Sequence, residues 1–290
     1  MDAYALSGYK QCVGFLYRAK FRELGDGLDK EAIGTCFFVT AKPSFQSRRS
    51  GYLVTAGHVL NDLLQTDGGM FVRVNKSSLT GVQYVPLPTA GWRRHPNAEV
   101  DLVVLPWWPP ALDMTITALP LHIIAGARNF AAPWQKNWPP EEGEETVLIG
   151  LMAQHQGIER NYPIVRMGHI ALNTDELIAL ECGTSQYRII ESQAYKGNSG
   201  APVWVRYTGE QRDLQADLRI DKREWKYEET FAFLGVLVSG FGSEAEIKRR
   251  GVNTETYWNY GISAVVPGEI LVEHLRNLEA EHDRAEEDRR

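Results

Sequence analysis

Short apolar runs, rich in β-branched and aromatic residues, recur along the chain between clusters of Gly, Pro, Asn and Asp. They are CVGFLYRA (12–19), GTCFFVT (34–40), GYLVTA (51–56), FVRV (71–74), DLVVLPW (101–107), TVLIG (146–150), YRII (187–190), APVWV (201–205), FAFLGVLVS (231–239) and YGISAVV (260–266). Runs of this length and composition, bounded by turn formers, predict strands. The expected fold class is all-β, of the sandwich or barrel kind. Helical spacing is clear only near the end, where Ile270, Leu271, His274, Leu275 and Leu278 follow Pro267 and predict one closing helix. HVLNDLL, directly after Gly57, predicts a short helical turn, and the charge run EAEHDRAEEDRR (279–290) reads as a solvated, frayed end.

Two segments break the strand pattern. GARNFAAPWQKNWPPEEGEE (126–145), with its prolines and acidic cluster, reads as the link between two halves. RYTGEQRDLQADLRIDKREWKYEET (206–230) alternates polar and apolar positions about a charged centre, as a long exposed hairpin does. The expected division is an N-terminal barrel over 9–125, a linker over 126–145, a C-terminal barrel over 146–266, and a helix with charged tail over 267–290. No fixed-period repeat or low-complexity tract is present.

Composition narrows the partners. With 290 residues and 43% hydrophobic content the chain can bury a substantial core. A net charge of −6 offers no overall field to attract nucleic acid or an anionic membrane. No run approaches the roughly 20 apolar residues of a membrane span, and the N-terminus lacks the basic start and unbroken apolar stretch of a signal peptide. A cytoplasmic location is therefore expected. Cys12, Cys36 and Cys182 are widely spaced, with no C-x-x-C pair, which suits buried thiols better than a disulfide framework or a zinc site.

The chemistry centres on Ser199, in AYKGNSGAPVW (194–204). A serine hydroxyl is a poor nucleophile at neutral pH and needs a histidine to take its proton and a carboxylate to orient that histidine. Taken alone, GNSGAP is equally a glycine turn between strands. His58 stands apart among the histidines because it follows the strand GYLVTA and opens a helical turn, a place where a side chain is held rigidly. Asp101 stands apart among the acids because it begins an apolar strand, where a carboxylate must find a donor. His95, His122, His155, His169, His274 and His282 lack such context and are expected at the surface or satisfied in the core. Asp62 is expected on a helix surface.

TAGHV around His58, VDLVVL around Asp101 and GNSGAP around Ser199 together resemble the three signature segments of trypsin-like (chymotrypsin-fold) serine peptidases, in that family's order. GTCFFVT resembles the family's glycine-led second strand. YGISAVVP followed by a helix resembles the ending of the bacterial high-temperature-requirement branch, and the chain is expected to lack that branch's PDZ domain. The resemblance implies two antiparallel Greek-key β-barrels with a C-terminal α-helix, and serine endopeptidase activity through an acyl-enzyme, without metal or organic cofactor. It implies Ser199 as nucleophile, His58 as general base and then acid, Asp101 as orienting acid, and the backbone amides of Gly197 and Ser199 as the oxyanion hole. Ser239, Gly240, Phe241 and Gly242 would line the primary pocket and bind an extended peptide, with Gln193 near its base. The implied partner is a polypeptide substrate, with control by a regulatory protein or through the 206–230 hairpin.

The match departs from the family in two letters. Asn198 stands where the digestive enzymes carry an aspartate that pairs with a newly cut N-terminus, so no trypsin-type zymogen cleavage near Ile33 is expected. Ala201 replaces the second glycine and adds a methyl beside the nucleophile. The rival of another class is a catalytically silent trypsin-like domain that binds peptide or scaffolds. VLVSGFGSEA (236–245) imitates a dinucleotide fingerprint, but no βαβ unit follows it.

Overall fold

The computed structural model describes residues 8–21, 28–40, 51–77, 81–110, 113–120, 140–152, 155–207, 230–249 and 252–287. Most of these are strand. In the first half the strands are β1 (Val13–Phe21), β2 (Leu28–Thr40), β3 (Gly51–Thr55), β4 (Met70–Asn75), β5 (Val82–Leu87), β6 (Arg93–Arg94), β7 (Val103–Pro106) and β8 (Leu119–Pro120). They form an eight-stranded sheet in the order β5-β4-β1-β2-β3-β7-β6, with β8 added alongside β2. Helix α1 (Gly57–Leu64) follows β3, so the predicted helical turn is a two-turn helix that buries Val59, Leu60 and Leu63.

The second half contains β9 (Glu145–Gly150), β10 (Ile164–Asn173), β11 (Ile178–Leu180), β12 (Gly183–Ser185), β13 (Arg188–Glu191), β14 (Pro202–Tyr207), β15 (Thr230–Arg249) and β16 (Val252–Pro267). Six of these close a barrel in the order β10-β13-β16-β15-β14-β9, while β11 and β12 pair by themselves. β15 and β16 stay paired from Gly235 with Pro267 out to Arg249 with Val252. The false dinucleotide fingerprint lies inside β15, as strand throughout. The chain is thus mostly β, with a closed six-stranded barrel, a second large sheet and a C-terminal helix, α2 (Gly268–Glu287).

Three sequence expectations shift. Asp101 does not begin a strand; it sits two residues before β7, in the approach from Val100. The charge run expected to fray continues α2 as far as Glu287, and Tyr52 of β3 donates a hydrogen bond to Glu279 within it. The linker lies largely outside the described residues, as does the centre of the long hairpin, although its ends Tyr207 and Thr230 are paired.

A single apolar cluster runs through both halves, from Phe15, Phe37 and Leu53 to Trp204, Phe233 and Leu275. Phe37 meets Phe233 at 5.4 Å between ring centroids, and Tyr9 meets Trp204 at 4.1 Å. A smaller cluster, including Leu148, Val203, Leu234 and Val265, belongs to the closed barrel. Helix α2 clasps the two halves. Glu269 accepts two bonds from Arg188 of β13, at 2.8 and 2.7 Å, while His274 reaches the Arg93 carbonyl of β6 at 3.3 Å. Among the described residues no helix is long and apolar enough to cross a membrane.

Cys12 and Cys36 are buried and Cys182 is half-buried, all three as free thiols. Only Cys36 lies in a strand; Cys12 precedes β1 and gives its thiol proton to the Tyr9 carbonyl at 3.0 Å. Burial pushes the Cys12 thiol up to about 12 and raises Cys36 and Cys182 as well, so none is poised as a thiolate.

Candidate active site

β3 delivers His58 through Ala56 and Gly57 into the first turn of α1. Asp101 comes from the segment entering β7, which pairs with β3. The carboxylate grips the histidine twice: Oδ1 accepts the His58 backbone amide at 2.8 Å, and Oδ2 lies 2.6 Å from ring Nδ1. A carboxylate that only accepts places the ring proton on Nδ1 and leaves Nε2 as an acceptor. Asp101 is 7% exposed and the His58 side chain 37%. The acid is thus shielded while the imidazole keeps one open edge. Gly57 is required for the grip, since a β-carbon there would stand 2.8 Å from Asp101 Oδ1.

Ser199 lies on the turn between β13 and β14, in the second half. Asn198, fully buried, holds this turn: its Oδ1 accepts the Tyr195 amide at 2.8 Å and its Nδ2 donates to the Leu151 carbonyl at 2.6 Å. The Asn198 amide donates to the Tyr195 carbonyl, and the Ala201 amide to the Asn198 carbonyl, each at 2.9 Å. Gly197 and Gly200 adopt φ of 97° and 84°, in the left-handed region that glycine enters at little cost.

Thr35 of β2 ties this turn to the first half. Its backbone amide donates to the Ser199 carbonyl at 2.9 Å, and its hydroxyl donates to the Gly197 carbonyl at 2.7 Å. Ser199 and α1 meet at Gly34: a β-carbon there would lie 2.8 Å from Val59 Cγ1 and 3.2 Å from the Ser199 carbonyl. His58 and Asp101 are therefore bonded to one another, and the Ser199 turn is docked on the strand beside them. Among the described residues no hydrogen bond joins the Ser199 hydroxyl to His58, and the Gly197 and Ser199 amides have no acceptor.

The remaining candidates lie farther along the second half. Gln193 is exposed and accepts a hydrogen bond from the Tyr195 hydroxyl at 2.7 Å; its Cγ would stand 3.9 Å from a β-carbon on Gly261. Arg166 stacks on the Tyr195 ring at 4.4 Å. Ser239, Gly240, Phe241 and Gly242 occupy half-buried positions of β15, where the pairing with β16 shifts between Leu237 and Ser239 and again between Gly240 and Gly242. Asp62 is exposed on α1, as expected. The Ala201 methyl is buried and directed toward Gly150, where an added β-carbon would meet it at 3.1 Å, and it packs into the barrel core.

Thr35, Leu151 and Tyr195 carry the turn but were not singled out from the sequence. For Thr35 the signal was present: a hydroxyl inside an apolar strand must find a partner if it is buried. Leu151 acts through its backbone, which no side-chain pattern discloses.

Comparison with solved structures gives the protease domain of MamO from Magnetospirillum magneticum, in its apo form, at 11% sequence identity. The alignment covers 93% of this chain and 98% of that chain, with a TM-score of 0.52. The likeness shows the fold alone, which this chain shares with that domain. No family model and no curated protein matches the chain.

Proposed function

We propose that the protein is a serine endopeptidase, with Ser199 as nucleophile, His58 as general base and acid, and Asp101 as the orienting carboxylate. The observation that carries this reading is the double grip of Asp101 on the His58 amide and ring, at 2.8 and 2.6 Å, opposite a turn that presents Ser199. In the first step Ser199 Oγ bonds to the scissile carbonyl carbon while its proton passes to His58 Nε2. His58 then gives that proton to the leaving amine as the C–N bond breaks, and a water molecule repeats the sequence to release the acyl group.

The Gly197 and Ser199 amides, without acceptors among the described residues, would receive the oxyanion. The neutral clamp of Asn198 on Leu151 and Tyr195 supports activity without a new N-terminus. In this reading both halves are Greek-key barrels, the nearest branch is the high-temperature-requirement type, and Ser239 to Gly242 bind an extended polypeptide beside Gln193. The three free thiols support a cytoplasmic setting.

A fluorophosphonate probe tests the reading. Labelling of the wild-type chain, lost in Ser199→Ala and in His58→Ala, is the expected outcome. A folded wild-type chain that takes no label at neutral pH would mark a silent peptide-binding module instead.

A further inference from the structure

We infer that Thr35, contributed by the first half, is a positioning residue for the oxyanion amides, selecting with its hydroxyl the orientation of the Gly197–Asn198 peptide, which lies between the two peptides that carry the Gly197 and Ser199 amides. The inference rests on the peptidase reading and deepens it at the same site. Thr35 is fully buried, and a hydroxyl has one proton to give. The Leu151 amide donates to Thr35 Oγ1 at 3.0 Å, and an amide can only donate. The hydroxyl proton is therefore committed to its other neighbour, the Gly197 carbonyl at 2.7 Å. The direction of this bond is fixed by chemistry, and with it the direction in which the carbonyl points.

The selection matters because of what sits there. Gly197, at φ 97°, belongs to the residue type that adopts either sign of φ with comparable ease, so its own covalent structure does not choose a peptide orientation. Thr35 makes the choice from outside the turn. Its amide holds the Ser199 carbonyl at 2.9 Å, and its carbonyl is held in turn by the Thr55 hydroxyl at 2.8 Å. The carbonyls of Gly197, Asn198 and Ser199 then all have donors, and the Asn198 amide has its acceptor in Tyr195. Across residues 197–199, the backbone groups left without a partner among the described residues are the amides of Gly197 and Ser199. Thr55 belongs to β3, two residues before the helix that carries His58. One short chain of hydrogen bonds thus references the oxyanion donors to the strand that delivers the base.

The test uses the full-length chain and three variants. Thr35→Val keeps the shape and removes the hydroxyl, Thr35→Ser keeps the hydroxyl, and Thr35→Cys fills the site with a weak donor. The rate of fluorophosphonate labelling is measured for each, with kcat and KM on a peptide recovered by cleavage-site profiling. Thr35→Val is expected to lose about 10- to 100-fold in labelling rate and kcat, with KM changed less than about twofold, because misplacement of donors is felt in the transition state. Thr35→Ser is expected to restore most of the rate. Wild-type kcat in Thr35→Val overturns the role of Thr35, as does an equal loss in Thr35→Ser, which would mark simple packing. Should Thr35→Val fail to fold, wild-type kcat in Thr35→Cys overturns the role. A folded wild-type chain that is never labelled overturns the peptidase reading itself, and the role of Thr35 falls with it.

Discussion

Gly200 shows how little freedom the Ser199 turn has. Its φ is 84°, and a β-carbon there would lie 2.2 Å from both the Thr35 carbonyl and the Thr55 hydroxyl. Left-handed strain and overpacking together set the expected cost of Gly200→Ala at about 2–5 kcal/mol, read as a loss of unfolding free energy in denaturant titration. Asn198 makes a different point. Its Nδ2 donates to the Leu151 carbonyl at 2.6 Å from a fully buried site. Asn198→Asp would set a carboxylate oxygen against that carbonyl. The variant is expected to lose stability progressively as pH rises above the ordinary aspartate value of about 3.9, because burial raises the carboxyl's folded value and the unfolded chain ionises first. Urea midpoints from pH 4 to 8 check this, and a midpoint difference from wild type that does not grow with pH would refute it. At this scale the pairing of His58 with Asp101 was legible because a buried carboxylate must find a donor, while joining Ser199 to them rested on the order of the motifs in the family that the sequence resembles. Thr35 was not, since the same threonine on an outward-facing strand position would be written identically.

Between elements, the firmest polar contact joins β4 to the segment between β9 and β10. Arg73 of β4 is 2% exposed, and its guanidinium donates to the carbonyls of Gln156, Gly157 and Ile158 and to Asn161 Oδ1, at 2.6 to 3.1 Å. The same segment opens at Leu151, the residue that anchors both Asn198 and Thr35. Arg73→Met leaves several of these acceptors without a donor, at roughly 1–3 kcal/mol for each that stays dry. A total loss on the order of 3 kcal/mol is expected, with hydrogen exchange at the Leu151 and Asn198 amides accelerated ahead of global unfolding. A variant with unaltered exchange at those amides would show that Arg73 holds only its own segment. The sequence disclosed β1 to β4, β7, β9, β13 and β14 well, because each contains a compact apolar run, but of β15 and β16 only the apolar halves at 231–239 and 260–266. β10 escaped notice: Gly168 interrupts it and Met167, His169 and Leu172 lie at or near solvent, so it presents no continuous apolar face. The length of α2 was also missed, since the helix gains a long-range bond within the chain, from Tyr52 to Glu279, that local charge density does not foretell.

For the whole molecule, the larger apolar cluster runs through both halves, while a smaller one stays within the closed barrel. α2 is the visible fastener, and it contains a titratable weak point. His274 is 2% exposed; its Nε2 faces the Arg93 carbonyl, its Nδ1 has no partner, and the His95 ring lies 5.3 Å away. Burial holds its value below the ordinary 6.5, and His95 lowers it further against the opposing pull of the Arg93 carbonyl and Glu281. The unfolded chain therefore takes up the proton first as pH falls. Stability from this site is complete above about pH 6.5 and declines below it, by at most about 1.4 kcal/mol per pH unit, until the folded histidine is itself protonated. His274→Phe should remove that component of the acid loss, measured as the wild-type minus variant difference in midpoint between pH 7 and 5. An identical pH slope in both proteins would show that His274 is not its source.

On the peptidase reading, the order of strands around the closed barrel also governs when the chain becomes able to cut. β16 sits between β13 and β15 and seals the ring, yet it is synthesised after the other described strands and well after Ser199 has left the ribosome. Until it arrives, Arg188 to Glu191 lack their β16 partners, and the strand that leads to the Ser199 turn is paired only with β10. Long-range closure of this kind is slow and follows chain release of the segments involved. On the same reading, a nascent chain without β16 should carry His58, Asp101 and Ser199 but no assembled site. Chains stalled at residue 250 are expected to remain unlabelled by the fluorophosphonate probe that marks the released protein.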